Sequence, residues 1–466
     1  MRFENALLNL SDKAIQIMMD LGAEYADVRS EQSISTAIRI SNDTVEQAST
    51  GVNCAFGARA IVNGAWGFSS ANSLKAKDVK ACSTEAFKTA RSVSKAAKEK
   101  AVLCPTKTAK DHVKVRVDEP LAETEISKKI NEALHFSKAA RNHDKRIGAY
   151  VVYEDSAGQQ VTANSDGSRI LTDNSRIYLG LFAIASVGGK VTSCREQIGI
   201  CGGFELFKDS KIDEIAKATA TKAANLLKAK HFPKGRFTVI LDPKLAGVFA
   251  HEAVGHACEA DYVVSDESIL REELGKVIGA KAVSIIDNPI VSNGWGSKKY
   301  DDECVPTQKR VLISNGVLTD LINNRETAAK LGIKPNGGAR AQTSFYCPIV
   351  RMSNIEIVKG DHSFEELLET VRFGLYLRGT RGGQVNTAKG EFQFTAEEAY
   401  LIEKGALSTP LLNVSLSGST IGTLQSIDAV GNDLESHIGF CGKSGQNVPV
   451  GMASPHVRLK KAVIGA

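Results

Sequence analysis

The segment LDPKLAGVFAHEAVGHACEAD holds His251, Glu252 and His256, the densest cluster of chemically capable side chains in the chain. Two imidazoles supply neutral nitrogen ligands and the carboxylate between them supplies a general base, the set a catalytic zinc site needs. The spacing is H-E-x-x-x-H, one residue longer than H-E-x-x-H. On a straight α-helix residues four apart differ in direction by about 40°, whereas residues five apart differ by about 140°, too far to share one ion. The spacing therefore predicts a helix that is widened by a π-type turn, or broken, between the two histidines. Gly255, just before His256, is the residue type that tolerates such a departure. With nine histidines in the chain, a chance match has a probability on the order of one in a hundred. Spacing alone thus leaves open a buried helix whose histidines bond to carbonyls and whose Glu252 faces water.

A zinc hydrolase takes a third protein ligand and keeps one position for water. Cys258, Glu259 and Asp261 are the nearby candidates; Asp301, Asp302, Glu303, His437 and Cys441 are the distant ones. On a regular helix Cys258 would point away from His256, and periodicity does not choose among the rest. Gly442-Lys443-Ser444 imitates the end of a phosphate-binding loop, but His437 stands where that loop needs glycine, and no strand-then-helix context surrounds it. There is no G-x-S-x-G elbow, and single cysteines are usually small buried hydrophobes. Arg378, Arg381 and Gln384, in a Gly-rich stretch, are candidates for substrate contact, as is the acidic run 301–303.

The frame around these residues is legible in part. RFTVIL (236–241) reads as a strand, and Asp242-Pro243 are an N-cap and a first-turn proline that should start the histidine-bearing helix. Upstream, 5–21 has one apolar helical face, and 26–71 reads as strands with a turn at SND and a hairpin at Asn63-Gly64. A helix is expected over 78–98, a linker or an extended edge segment over 99–120, a helix over 121–142, strands over 147–206 and a helix over 212–230. HFPKG (231–235) is the expected boundary. Downstream, a hairpin is expected over 311–322 around Asn315-Gly316, and a capping box (Ser363, Glu366) opens a helix over 363–373. The rest, 375–466, reads as Gly-punctuated strand. The expectation is an α+β fold: an N-terminal α+β domain with an antiparallel sheet (1–230, divisible into 1–98 and 120–230), then a β-rich C-terminal domain (235–466) carrying the metal-binding helix.

Composition narrows the function classes. The chain has 466 residues, 58 Lys+Arg against 53 Asp+Glu, and 42% hydrophobic residues. That length accommodates about two or three domains. A net charge of +5 without blocks of like charge gives no ground for a nucleic-acid or membrane-surface partner. Nine scattered cysteines fit a reducing compartment, so a cytoplasmic location is expected. The N-terminal helix carries charges inside its apolar pattern, unlike a signal peptide, and no apolar run reaches a membrane span.

HEAVGHACEAD, DDECVPTQ (301–308), YLRGTRGGQVN (376–386), EFQFTAEEAYLIEKG (391–405) and FCGKSGQNVPVG (440–451) together resemble the TldD/PmbA family of metallopeptidases. The likeness reaches into an N-terminal ADVR…GARAIVNGAWGF pattern (26–68). The family has a TldD branch that keeps the H-E-x-x-x-H helix and a PmbA (or TldE) branch that lacks it, so the chain resembles the TldD branch. The resemblance implies one zinc ion per chain, held by His251, His256 and Cys441, with Glu252 as the general base that activates a zinc-bound water. It implies hydrolysis of small unfolded peptides and a PmbA/TldE-like partner chain that encloses the site, or a homodimer. A non-catalytic scaffold subunit and a zinc amidase acting on a modified small molecule are the alternatives. One departure is Cys304, where the family pattern leads one to expect glycine.

Overall fold

The structure, a computed structural model, describes residues 2–209, 211–232 and 234–465. Its first half is organised by four long antiparallel strands, Tyr25–Ser41, Thr44–Val62, Ile147–Asn164 and Arg169–Val187. They form the centre of a seven-stranded sheet that Ala65–Ala71 and Lys190–Ile200 extend, with Lys110–Val113 added in parallel to Arg169–Val187. The turns are the expected ones. Asn42-Asp43 and Asn63-Gly64 all have positive φ, the geometry that favours Asn, Asp and Gly in two-residue hairpins.

Strand alternation divides this sheet into two chemically different faces. One face carries Val28, Ile38, Phe56, Val151, Leu179 and their neighbours, and four helices cover it. Arg2–Asp20 and Ala76–Val93 lie over one part, and Ile126–His143 with Ile212–Leu226 over the other. The opposite face is polar, with Asp27, Arg29, Glu31, Ser33 and Ser35 on one strand beside Ser156, Gly158 and Gln160 on the next.

The second half is strand-rich, as expected. A ten-stranded sheet runs from the edge strand Gly383–Asn386 through Gly235–Leu241 to Lys230–His231, and a six-stranded sheet ends in the hairpin Glu435–Lys443/Gln446–Ser454. The largest apolar core lies between them and encloses the helix that begins at Asp242. The described residues contain no helix long and apolar enough to cross a membrane.

Of its two readings the segment 99–120 takes the extended edge: Lys110–Val113 is an edge strand because its backbone finds a partner at Arg169–Thr172. Other expectations need correction. The capping box at Ser363 and Glu366 is present, but the helix stops at Glu369; Phe373 and Gly374 begin a strand paired with Ile402 and Glu403. Two short helices, Arg325–Leu331 and Thr420–Ser426, were unexpected; Asn324 and Ser419 cap them through their side chains. Pro233, inside the expected boundary at 231–235, lies outside the described residues.

Candidate metal centre

Strand Gly235–Leu241 delivers the chain to Asp242, whose side chain accepts from the Leu245 amide at 2.8 Å, with Pro243 in the first turn. The cap contributes about 1 kcal/mol and fixes where the helix starts. After Pro243–Phe249 the backbone widens: Ala250–Gly255 are π-helical, and the His256 amide donates to the His251 carbonyl at 3.1 Å. This i→i+5 bond supplies what the spacing demanded, since in a π turn residues five apart stand on one face. Widening also frees carbonyls, and the buried Thr420 hydroxyl donates to that of Ala253 at 3.1 Å.

The reason for Gly255 differs from the expected one. Its φ is not positive, so conformational freedom is not what the position uses. A Cβ there would lie 2.0 Å from the Met352 sulfur, and Met352 is fully buried; glycine is needed for close approach.

The hairpin Glu435–Lys443/Gln446–Ser454 brings the remote residues. Cys441 and Lys443, two apart, share one face of their strand and both reach the end of the histidine helix. Ligand atoms of His251, His256 and Cys441 lie within 4.8 Å of one another, and all three residues are buried. The Cys441 sulfur is 3.2 Å from His256 Nε2, and the His251 and His256 rings are nearly perpendicular with centroids 5.2 Å apart. His251 Nδ1 is buried with no hydrogen-bond partner. Glu252 reaches to within 3.8 Å of His256 Nε2, yet 37% of its side chain is accessible, so it stands on the open side of the cluster.

Behind the cluster lies a charged support. His256 Nδ1 is 2.8 Å from Glu259 Oε2, and Lys443 Nζ donates to the same oxygen at 3.0 Å. Lys443 also donates to both Asp261 oxygens at 2.8 and 2.7 Å, and lies 4.0 Å above the Tyr262 ring. Arg351, fully buried, donates to the Cys441 carbonyl. Burial would push the Glu259 carboxyl up, but the His256 and Lys443 charges outweigh it and pull it down to about 2. Burial likewise opposes ionisation of Cys441, and the His251 and His256 imidazoles overcome it, pulling the thiol down to about 5. The histidines answer in the opposite direction. Burial lowers both, but the Cys441 charge holds His251 above its ordinary value, and Glu259 and Cys441 hold His256 well above.

Of the other candidate ligands, Glu259 and Asp261 stand behind the histidine as its support, and Cys258 is buried in the apolar core, where burial pushes its thiol up. His437 lies on the Cys441 strand but outside the cluster, and burial pulls it down to about 4. Asp301, Asp302 and Glu303 lie elsewhere: their oxygens accept from the amides of Glu303, Val305, Ala339, Ala341 and Arg325, from Lys298 and from Arg59. Arg381 donates to the Ser193 carbonyl, and Arg378 lies 3.7 Å from Glu398. Lys443, set aside with its false phosphate-loop motif, is the residue of this cluster that sequence reasoning missed: it bonds Glu259 and Asp261 behind His256. Its alternation with Cys441 on a strand was the available signal.

Two nitrogens, one thiolate sulfur and an orphaned buried imidazole atom suit a zinc ion in donor chemistry and in number. The Nδ1 bond of His256 to a carboxylate is the usual partner of a metal-bound histidine, fixing Nε2 as the free ligand atom.

Comparison with known proteins points the same way. Residues 26–97, 119–227 and 234–466 match the PmbA/TldA metallopeptidase domain 1, central domain and C-terminal domain. A protein from Methanothermobacter thermautotrophicus named "Metalloprotease" is 40% identical over 457 residues, covering 96% of this chain and 97% of its own. A "Zinc metalloprotease TldD homolog" from Saccharolobus solfataricus is 30% identical, covering 97% and 99%. Among solved structures, TldE from Thermococcus kodakarensis has the same fold, with a TM-score of 0.81 at 19% identity over 99% of this chain and 100% of that one. Matched along nearly its whole length by these domains and relatives, the chain belongs to the PmbA/TldD family of metallopeptidases, in its TldD branch.

Proposed function

We propose that the chain is a zinc-dependent peptidase that hydrolyses small unfolded peptides, with His251, His256 and Cys441 as the ligands of one zinc ion and Glu252 as general base. The observation that carries this reading is the convergence of those three buried ligand atoms within 4.8 Å, with a partly accessible carboxylate beside them. When bound, zinc supplies Lewis-acid polarisation of a carbonyl and acidification of water. Glu252 takes the proton from the attacking water on a carboxylate oxygen and returns it to the leaving amine nitrogen. Glu259 orients His256 through Nδ1, and Lys443 fixes Glu259 in turn. Glu259 and Lys443, both buried behind His256, keep water from that side of the cluster.

The edge strand Gly383–Asn386 packs against the π turn, and its Gly383, Gln384 and Asn386 are exposed. An extended peptide would add to this edge through main-chain bonds, with little demand on its sequence. A TldE-like partner chain would close the open side. The test is the zinc-loaded chain, with and without such a partner, on a broad peptide library. Cleavage that Glu252→Gln abolishes while zinc content is unchanged is expected. Equal cleavage by both proteins contradicts the proposed base, and a metal-loaded chain that spares every ordinary peptide bond contradicts the peptidase assignment.

A further inference from the structure

The polar face of the N-terminal sheet poses a question the metal centre does not answer. An antiparallel sheet face that served only for packing would be apolar, and one left in water would be uncovered. This face is polar, and it is partly roofed by residues 340–343 and by Pro449 of the hairpin that carries Cys441. Small side chains on neighbouring strands, Ser33 and Ser156 with Gly158 between them, leave a cavity of about 160 Å³ under that roof.

Two guanidinium groups line it, and neither bonds a carboxylate among the described residues. Arg340 is buried and donates to the main-chain carbonyls of Met352 and Pro449, the latter at 2.7 Å. Arg176 makes one bond, from Nε to the Cys201 sulfur at 3.3 Å. The nearby acids are committed elsewhere, Asp302 to Lys298 and Asp287 to Arg310. Glu31, at the other end of the cavity, accepts from Ser344 at 3.0 Å and Gln160 at 3.3 Å, and burial raises its carboxyl, which weakens its opposition to a second negative group. Buried charges in proteins are ordinarily paired. Here burial, and then the like charges of Arg176 and Arg351, pull Arg340 down to about 10, a crowding that an anion would relieve.

We propose that this cavity is a binding site for a small oxyanion, a carboxylate or phosphate group, received by the Arg176 and Arg340 guanidinium groups. Planar guanidinium forks match both anions in geometry. Pro449 lies opposite Phe440 in the hairpin, one residue from Cys441, so the site adjoins the strand that completes the metal centre while opening on the other side of it. It does not depend on the metal reading.

Calorimetric titration of the full chain with inorganic phosphate, and separately with acetate, at ionic strength held constant with chloride, tests it. Saturable binding of at least one of them is expected, weakened by about tenfold or more in Arg176→Gln, the loss of charged hydrogen bonds. Arg176 is only half-buried, so this variant remains informative should Arg340→Gln fail to fold. A short peptide with a free carboxyl end, compared with its amidated form, separates the sources. Preference for the free acid identifies a peptide terminus, and binding of phosphate alone identifies a phosphorylated or inorganic ligand. Absence of saturable binding by both anions, or undiminished binding in Arg176→Gln, overturns the proposal.

Discussion

Two buried clusters in this chain are rich in ionisable groups, and they differ in how completely they are satisfied. Around Asp301, Asp302 and Glu303 each of the six carboxylate oxygens accepts at least one N–H, and Arg59 joins Glu303 to Asp27 across the two halves of the chain at 3.1 and 2.7 Å. Around His251, His256 and Cys441 the reverse holds: an imidazole nitrogen is buried without a partner, the two imidazoles pull a buried thiol down to about 5, and a carboxylate is held near the opening. A saturated network holds structure together, whereas unspent lone pairs converging on one point are the mark of a place that receives a ligand.

The contrast can be broken in graded ways. The largest effect is expected of Glu252→Gln, which should lower peptide cleavage by about 10²- to 10⁴-fold with zinc content unchanged, measured on the metal-loaded protein. Arg59→Ala attacks the other cluster. It leaves the buried Glu303 without an ion-pair partner and Asp27 with Arg29 alone, so unfolding in denaturant should show a loss of about 3–5 kcal/mol, while the folded fraction still binds zinc. Equal loss of zinc affinity in the folded protein would erase the distinction between the clusters. Glu259→Gln should weaken zinc binding by about 10- to 100-fold in chelator competition, the usual effect of losing the carboxylate behind a ligand histidine. Without any substitution, the same site should show a pH effect. Both histidines hold their protons above the ordinary range, and zinc requires them neutral, so affinity should rise as pH increases through neutrality by up to about tenfold per unit for each proton displaced. An affinity flat from pH 6 to 8 would contradict the proton competition.

Much of the candidate centre was legible because its demand is geometric. The extra residue in H-E-x-x-x-H required a widened turn, and Ala250–Gly255 provide it. Gly255 pointed to the right place for the wrong reason, since what it accommodates is the Met352 side chain, a tertiary neighbour no local pattern reveals. Cys441 was reached by family resemblance, because a strand 185 residues away from His256 has no periodic relation to it. Glu259 was visible as a donor but not as a supporting one, for its role follows from the turn after His256. Cys304 is the instructive departure. Its φ is +63°, the conformation for which glycine is expected, and its buried sulfur reaches the Thr162 carbonyl at 3.4 Å, a contact glycine would not make. The long hairpins were readable from their Asn-Asp and Asn-Gly turns, whereas Lys110–Val113 owes its strand to a partner distant in sequence.

X-ray absorption at the zinc edge of the metal-loaded chain probes the proposed ligand set most directly. One zinc per chain is expected, with a sulfur scatterer at about 2.3 Å beside nitrogens at about 2.0–2.1 Å, the sulfur lost in Cys441→Ala and kept in Cys258→Ala. A first shell without sulfur, or one whose sulfur survives Cys441→Ala, would contradict the joining of the π-turn histidines to the hairpin thiolate.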